Sequence, residues 1–435
     1  MRVKFDYGRE GLEFDVPPGV PEEHVTVLRA KDEPGLVDPA EAVRGALEKP
    51  TGTAPLSRML EERAPETACV VVSDATRPVP TSKLLPPILE ALEEGGVELS
   101  HVTVLVATGL HRPSTDAERA RILGSAVPSD VKVADHDARD DDAMVRVGDV
   151  AGYPVRLNRR FVDADFKVLT GYVDPHFFAG FAGGRKSVVP GIAAKETILS
   201  NHSAANIAHP RARFGGLEGN PVHEQSLAAA KLAGVDFVVN VTLNSRHEVT
   251  RVAAGDLEAT HRVLVNHVVE TAFVDFPEPF DVVVAGNGGY PLDLNLYQAV
   301  KSMALGEMAV KPGGTIVAVN ECSDGVGHAA FREMLNLDLT AAQVHERVLD
   351  GRLSCEDQWE IQVLARVLSV AKVRVVSTLD AGELGRIGLV RSSSVEEALL
   401  AAYHERGPGA RVLILPNGPA VVARARGAAG DPMGN

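Results

Sequence analysis

Short runs of β-branched and aliphatic residues alternate with longer stretches of helical periodicity along most of the chain. ACVVVSDATRPVP passes into TSKLLPPILEALEEGG, and HVTVLVATGLHRP into STDAERARILG. A buried run that ends on Gly, Asp or Ser and gives way to a helical pattern is the strand, loop and helix of a parallel α/β sheet. FKVLTGYVDPHFFAGFAGGRKS follows the same plan, with a strand to about Thr170 and then a loop rich in glycine and aromatic residues. From Ala194 to about Ala233 the pattern is helical around polar turns, and VDFVVNVTLN reads as a further buried strand. Ligands of such sheets collect at the carboxyl ends of the strands. The loops SDATRP and ATGLHRP sit at that edge, so Asp74, Arg77 and His111 are expected to point towards one crevice.

Closely spaced prolines in FPEPFDVVVAGNGGYPLD, near Phe276, mark a domain boundary. Beyond it the same logic repeats, with strands DVVVAGN, GGTIVAVN and VRVVST and helices LNLYQAVKSMALGEMAV and SCEDQWEIQVLARVLSVA. ARVLILPNGP reads as a last strand and RARGAAGDPMGN as a frayed tail. The pattern predicts an α/β protein of two α/β domains with mainly parallel sheets and an active-site cleft between them. Residues 1–275 form the N-terminal domain, 276–410 the C-terminal domain, and 411–435 a final strand and tail able to return to the N-terminal domain. Length agrees, since 435 residues exceed the roughly 250–300 at which single cores stop growing.

Hydrophobic residues at 45% and charged residues at 24% are ordinary for a globular chain. Lys plus Arg total 44 against 59 for Asp plus Glu, a formal charge of -15. That balance argues against nucleic acid or an anionic membrane as partner, so any anionic ligand must be captured locally. Apolar runs such as Val102 to Ala107 fall short of the ~20 residues of a membrane span. The first residues, MRVKFDYGREGLEFDV, alternate like a strand and lack the apolar run of a signal peptide. Cys69, Cys322 and Cys355 are far apart and odd in number, which offers neither a disulfide framework nor a CxxC zinc site. Burial as small hydrophobes in a reducing cytoplasm fits them.

The candidate chemistry is concentrated in a few loops. GFAGGRKS has the glycines and lysine of a phosphate cradle, but Arg185 stands where Walker spacing from Gly180 requires glycine, which removes the ATP reading. A phosphate or lysine site of another kind remains, as does a plain turn at Gly183 and Gly184 with Lys186 in solvent. His176, between a proline and two phenylalanines, sits where desolvation favours a neutral, proton-accepting ring; a core histidine bonded to backbone is the other reading. His111 leaves another strand at the same edge, and two opposed histidines suit proton handling on both faces of a substrate, as a racemase needs. His202, in SNHSAAN, offers nitrogen to nickel, zinc or copper. No HxxxH or HExxH includes it, although His209 and His223 are near, so a cofactor would have to supply the other ligands.

In YPLDLNLYQAVKSM, Tyr297, Gln298 and Lys301 share one helical face, able to grip a hydroxy-carboxylate or simply to be solvated. Trp359, the single tryptophan, is a core plug or a cleft wall. GNGGYP follows a strand but lacks GxGxxG spacing, so a conventional NAD dehydrogenase is poorly matched.

DATRP, TGLHRP, PHFFAGFAGGRKS, SNH and YQAVK, in this order and approximate spacing, resemble the nickel-dependent lactate racemases and related 2-hydroxy-acid epimerases. The resemblance runs from Asp74 to Trp359 and implies an isomerase. It implies a nickel-pincer nucleotide (pyridinium-3-thioamide-5-thiocarboxylic acid mononucleotide) carrying Ni(II), tethered through Lys186 with His202 as the protein's nickel ligand. His111 and His176 would be the catalytic acid and base. Asp74, Thr76, Arg77, Gly183 and Gly184 would hold the nucleotide, while Tyr297, Gln298, Lys301 and Trp359 would line the substrate side. The implied reaction inverts Cα of a 2-hydroxy acid by proton-coupled hydride transfer, with the cofactor-synthesis enzymes as partners. A protein that only binds or processes the pincer precursor is the alternative, but a carrier needs neither histidine. Where racemases of this family resemble DRTRP, this chain has Asp74-Ala75-Thr76-Arg77. Loss of an arginine beside the substrate would suit a bulkier 2-hydroxy acid or a sugar acid epimerised at C2.

Overall fold

The computed structural model describes residues 1–31, 33–124 and 127–431. Two six-stranded sheets organise it. The first runs in the order Val249–Gly255, Phe237–Leu243, Phe166–Tyr172, Ala68–Ser73, Val102–Ala107, Lys132–Asp135. Its strands are parallel except for Val249–Gly255, which turns back antiparallel at the edge. Val70, Val71 and Val72 are all fully enclosed, as expected of a central parallel strand covered on both faces. The second sheet is parallel throughout, in the order Val390–Ser392, Lys372–Val376, Val310–Val319, Phe280–Gly286, Val412–Leu415, Val25–Val27.

Three parts of the chain lie elsewhere than expected. The first residues belong with the second sheet: a hairpin of Arg2–Phe5 and Leu12–Asp15 packs Val3, Phe5 and Phe14 against Val282, Val284 and Val317. Val25–Val27 then forms that sheet's edge strand before the chain crosses to the first sheet. Val412–Leu415 is likewise interior to the second sheet, while the next strand, Val422–Ala425, pairs with Phe273–Phe276 at the end of the N-terminal range. A three-residue strand such as VTV has no periodicity by which to choose a sheet; its neighbour in space decides. The tail is not frayed through Asp431. Val422–Ala425 pairs with Phe273–Phe276, Ala429 N–H donates to Val310 C=O (2.9 Å), and Gly430 N–H donates to Glu307 C=O (2.8 Å). Residues 432–435 lie outside the described residues. Among the described residues no helix is long and apolar enough to cross a membrane.

One hydrophobic cluster runs from the first sheet to the second beneath the cleft, joining Leu169, Phe177 and Phe178 to Leu296, Val300 and Trp359. Two helices of the second domain, Leu296–Glu307 and Gln358–Val370, carry the substrate-side residues and pack on each other. A buried ion pair locks them: Arg366 Nε and Nη2 donate to the Glu307 carboxylate at 2.9 and 2.6 Å. Burial alone would push the Glu307 carboxyl up, but Arg366 and Arg213 together hold it below the ordinary value. Arg366→Ala leaves this enclosed carboxylate without its bidentate partner and is expected to cost about 3–5 kcal/mol. The check is the urea midpoint; no shift would mean that Arg213 alone neutralises Glu307.

Candidate active site

The loops after three strands of the first sheet, those ending at Ser73, Ala107 and Tyr172, open on one cleft. Helices Leu296–Glu307 and Gln358–Val370 form the opposite wall. Of the thirteen residues proposed from sequence, eleven line this space: Asp74, Arg77, His111, His176, Gly183, Lys186, His202, Tyr297, Gln298, Lys301 and Trp359.

Asp74 is buried and acts on His111. Its Oδ2 meets His111 Nδ1 at 2.7 Å, and its Oδ1 accepts from Thr76 Oγ1 at 2.7 Å. Burial would push the Asp74 carboxyl up, but the bond and charge of His111, with Arg77 and Thr76, outweigh it and hold the group below its usual value. A carboxylate on Nδ1 fixes the imidazole with its proton on that nitrogen, leaving Nε2 as an acceptor. Asp74 thus orients the His111 ring while itself lining the cleft.

His176 follows a different plan. Its ring lies 5.0 Å from that of Phe177, stacked, and 4.6 Å from that of Phe178, edge-on. Its Nδ1 accepts long hydrogen bonds from the backbone N–H of Ala179 (3.2 Å) and Phe178 (3.4 Å). Burial first, then the cations Lys186, Lys301 and Arg77, push its imidazolium well below the ordinary value. The ring is neutral as expected, but with Nδ1 accepting, its proton belongs on Nε2. In the resting site His111 therefore accepts and His176 donates.

Lys186 lies in the short helical turn Gly184–Ser187. Protein surrounds it except towards the cleft, its Nζ is 5.6 Å from the centre of the Phe178 ring, and no ion pair engages it among the described residues. Burial first, then Arg185, Arg77 and Lys301, push its ammonium well down. A neutral amine is the nucleophilic form a covalent attachment requires.

His202 caps helix Lys195–Asn201 and is 4% exposed. The Phe178 ring stands edge-on at 5.1 Å and the Trp359 ring at 5.0 Å. Burial pushes its imidazolium down to about 3, Lys186 adds to this, and the Ile198 carbonyl opposes it. Its Nδ1 is enclosed without a complete hydrogen bond. A neutral imidazole facing a cleft is a competent metal ligand. No group of three or more His, Cys, Asp or Glu able to hold an ion exists among the described residues, so a metal here needs ligands that arrive with a cofactor. A neutral amine and a neutral imidazole at one cleft fit a tethered, metal-bearing group.

Two proposed residues do not reach the cleft. Thr76 is exposed, and its hydroxyl bridges Asp74 and Arg77. Gly184 packs against His261, where an added Cβ would come within 3.3 Å of the ring, and its N–H donates to Asn240 Oδ1 at 2.7 Å. Gly183, by contrast, is required to be glycine: φ is +78°, and a Cβ would approach the Tyr172 carbonyl and Asn240 Oδ1 to 2.8 Å. Ala75 is also off the cleft. Its side chain packs with the apolar cluster of the first domain and its C=O accepts from Arg121.

On the opposite wall Lys301 Nζ donates to Gln298 Oε1 at 2.5 Å. The Tyr297 ring stacks on His328 at 4.3 Å, and His328 Nδ1 meets Asp357 Oδ2 at 2.7 Å. Sequence reasoning passed over Asp174, whose carboxyl burial pushes up to about 7, and Glu360, which is 2% exposed on the cleft wall. A charged residue inside the apolar face of QWEIQVLARVL was the available signal for Glu360.

Comparison with known proteins agrees over nearly the full length. The lactate racemase N-terminal domain matches residues 7–215 and the lactate racemase C-terminal domain residues 277–423. The lactate racemase of Thermoanaerobacterium thermosaccharolyticum is 36% identical over 428 residues, covering 97% of this chain and 99% of its own. That of Lactiplantibacillus plantarum is 35% identical over 388 residues, covering 88% and 91%. The apoprotein structure of the former superposes with a TM-score of 0.91 at 35% identity, over 98% of this chain and 100% of that one. A Thermotoga maritima protein shares the fold alone, with a TM-score of 0.65 at 18% identity, over 91% of this chain and 100% of its own.

The neutral amine is directly measurable. Between about pH 7 and 9 an ordinary lysine gains roughly a hundredfold in free amine. Because the Lys186 ammonium is pushed down, acylation of Lys186 is expected to rise far less over that interval than acylation of surface lysines. Peptide mapping of the labelled apoprotein reads the ratio. A hundredfold rise at Lys186 would show an ordinary ammonium.

Proposed function

The chain belongs to the lactate racemase family and is a racemase, and on that footing we propose that it inverts Cα of a 2-hydroxy acid by proton-coupled hydride transfer with a nickel-pincer nucleotide. The observation that carries this reading is the convergence of two differently prepared histidines, His111 and His176, on a cleft that also holds Lys186, its ammonium disfavoured by burial, and a buried His202. A protein that only carries a precursor has no use for an Asp74–His111 pair. Lys186 is the proposed tether and His202 the proposed nickel ligand. When bound, the cofactor supplies a reversible hydride acceptor.

The residues of the chain do the remaining work. Lys301, oriented by Gln298, receives the substrate carboxylate as a charge-assisted partner. Nε2 of His111 accepts the hydroxyl proton, and the Asp74 carboxylate stabilises the imidazolium that results. Nε2–H of His176 donates to the substrate oxygen from the other side. Phe177, Phe178 and Trp359 exclude water while the 2-oxo acid stage persists. Arg77, the cation that remains at the mouth of the DATRP loop, is the proposed phosphate partner. Lactate is the first substrate to try, since the curated relatives are lactate racemases.

Protein produced together with the cofactor-synthesis enzymes is expected to gain the mass of the tethered nucleotide, and Lys186→Ala to lose it. An unmodified mass in the wild type would sink the tether. With chiral separation of products, His111→Ala and His176→Ala are expected to abolish racemisation while retaining nickel; loss of metal from both would mean that ligands had been taken for bases. Asp74→Asn, which releases His111 from its tautomer, should lower kcat by about 10²–10⁴-fold.

A further inference from the structure

The helix pair Leu296–Glu307 and Gln358–Val370 carries two combinations of a cation and a carboxylate. Glu307 and Arg366 are closed on each other by two hydrogen bonds. Nearer the cleft, Lys301 and Glu360 act on each other's charge across the same seam, yet no hydrogen bond joins them. Lys301 Nζ donates to Gln298 Oε1, while Glu360 Oε2 is enclosed with no partner. A buried carboxyl oxygen left unmatched in a native fold calls for an explanation, and here the carboxyl also lines the site where a substrate anion would enter.

We propose that Glu360 is a positioning residue for the substrate carboxylate: in the free cleft it shares the Lys301 ammonium, and as the substrate anion takes that ammonium Glu360 binds a proton from solvent. This rests on the reading of the cleft as a 2-hydroxy-acid site. The step is a protonation only, one solvent proton converting carboxylate to carboxylic acid, with nothing oxidised or reduced. Without it, an entering anion would meet a second buried negative charge beside the same cation.

The groups that face the pair come from each element around it. Lys301 and Tyr297 lie on the neighbouring helix, and Asp357 on the turn before Glu360. Arg77 and Asp174 reach Lys301 from the first domain. Burial pushes the Glu360 carboxyl up, Lys301 pulls it back in part, and Asp357 adds to the rise. Burial pushes the Lys301 ammonium down, Arg77 adds to this, and Glu360 and Asp174 oppose it. The sign follows. At low pH Glu360 already carries its proton and binding moves none. Above the pH at which it ionises in the free site, each anion brings one proton, and KM rises by about tenfold per pH unit.

The test uses holoenzyme and 2-hydroxyisobutyrate, a 2-hydroxy acid with no Cα hydrogen to transfer. Titration calorimetry in two buffers of different protonation enthalpy, from about pH 6 to about pH 9, counts protons taken up on binding. The wild type is expected to take up close to one proton at the alkaline end, and its KM to rise there. Glu360→Gln is expected to take up none, and its alkaline KM to fall by about tenfold and become flat with pH. Absence of uptake in the wild type would overturn the proposal, even where the variant fails to fold. So would uptake and a rising KM that persist in Glu360→Gln, since the proton would then belong to Lys301 or Asp174. Proton uptake in a holoenzyme that does not interconvert lactate enantiomers would overturn lactate as substrate and leave this inference standing. Racemisation without uptake would do the reverse.

Discussion

The site depends on one buried guanidinium. Arg185 is 1% exposed and has no carboxylate partner among the described residues. Its Nη2 donates to the carbonyls of Ala179 (2.9 Å) and Phe181 (2.8 Å), and its Nη1 to that of Gly183 (3.1 Å) and to His261 Nε2 (2.9 Å). Burial pushes its guanidinium down to about 9, and carbonyl dipoles take the place of a counter-ion. A loop with several carbonyls turned inward on one cation has little freedom left. That constraint sets the left-handed turn at Gly183, aims Lys186 at the cleft and fixes the segment that carries His176. It also places a permanent positive charge beside Lys186, which helps to keep the amine neutral.

From that loop the two catalytic candidates receive opposite preparation. His176 is held by the backbone of its own turn, His111 by a carboxylate from a neighbouring strand's loop. The carboxylate accepts from Nδ1 of one ring, while backbone N–H groups donate to Nδ1 of the other, so the two rings carry their protons on opposite nitrogens. Two equivalent bases would leave the direction of the first proton transfer undetermined. Under the proposed mechanism the resting tautomers assign it, and inversion in the opposite sense would begin from the state in which those proton positions have been exchanged. The asymmetry rests on main-chain geometry at Phe178 and Ala179, so it is a property of the loop as much as of the histidine.

Much of this was readable in the linear chain, and the reasons for the exceptions are physical. Strand-loop-helix units announce themselves through buried valine runs, and the sheet edge to which their loops lead follows from topology, so Asp74, His111 and His176 could be brought together from sequence. Whether a polar residue beside them reaches the same space could not. Thr76 and Gly184 are each one position from a cleft residue, and their backbone direction turns them to solvent and to His261. Ala75 is a related case: its methyl packs against the apolar cluster of the first domain and does not line the cleft. Short segments such as Val25–Val27 contain no pattern that names the sheet they will join. Glu360 is the opposite kind of case, a charge within an apolar helical face that resemblance to a motif passes over.

An acidic protein that binds an acid must concentrate positive charge where it is used. Arg77, Lys186 and Lys301 converge on the cleft, and mutual repulsion is part of what pushes the Lys186 ammonium down. Three free ammonium or guanidinium groups there would be poorly tolerated without an anion. The structure answers this in two ways: burial disfavours the charged form of Lys186, and the carboxyls of Asp174 and Glu360 act on Lys301. Among the described residues Lys301 is the one lysine or arginine that the second domain brings to the cleft, and the carboxyls of Asp174 and Glu360 act on its charge.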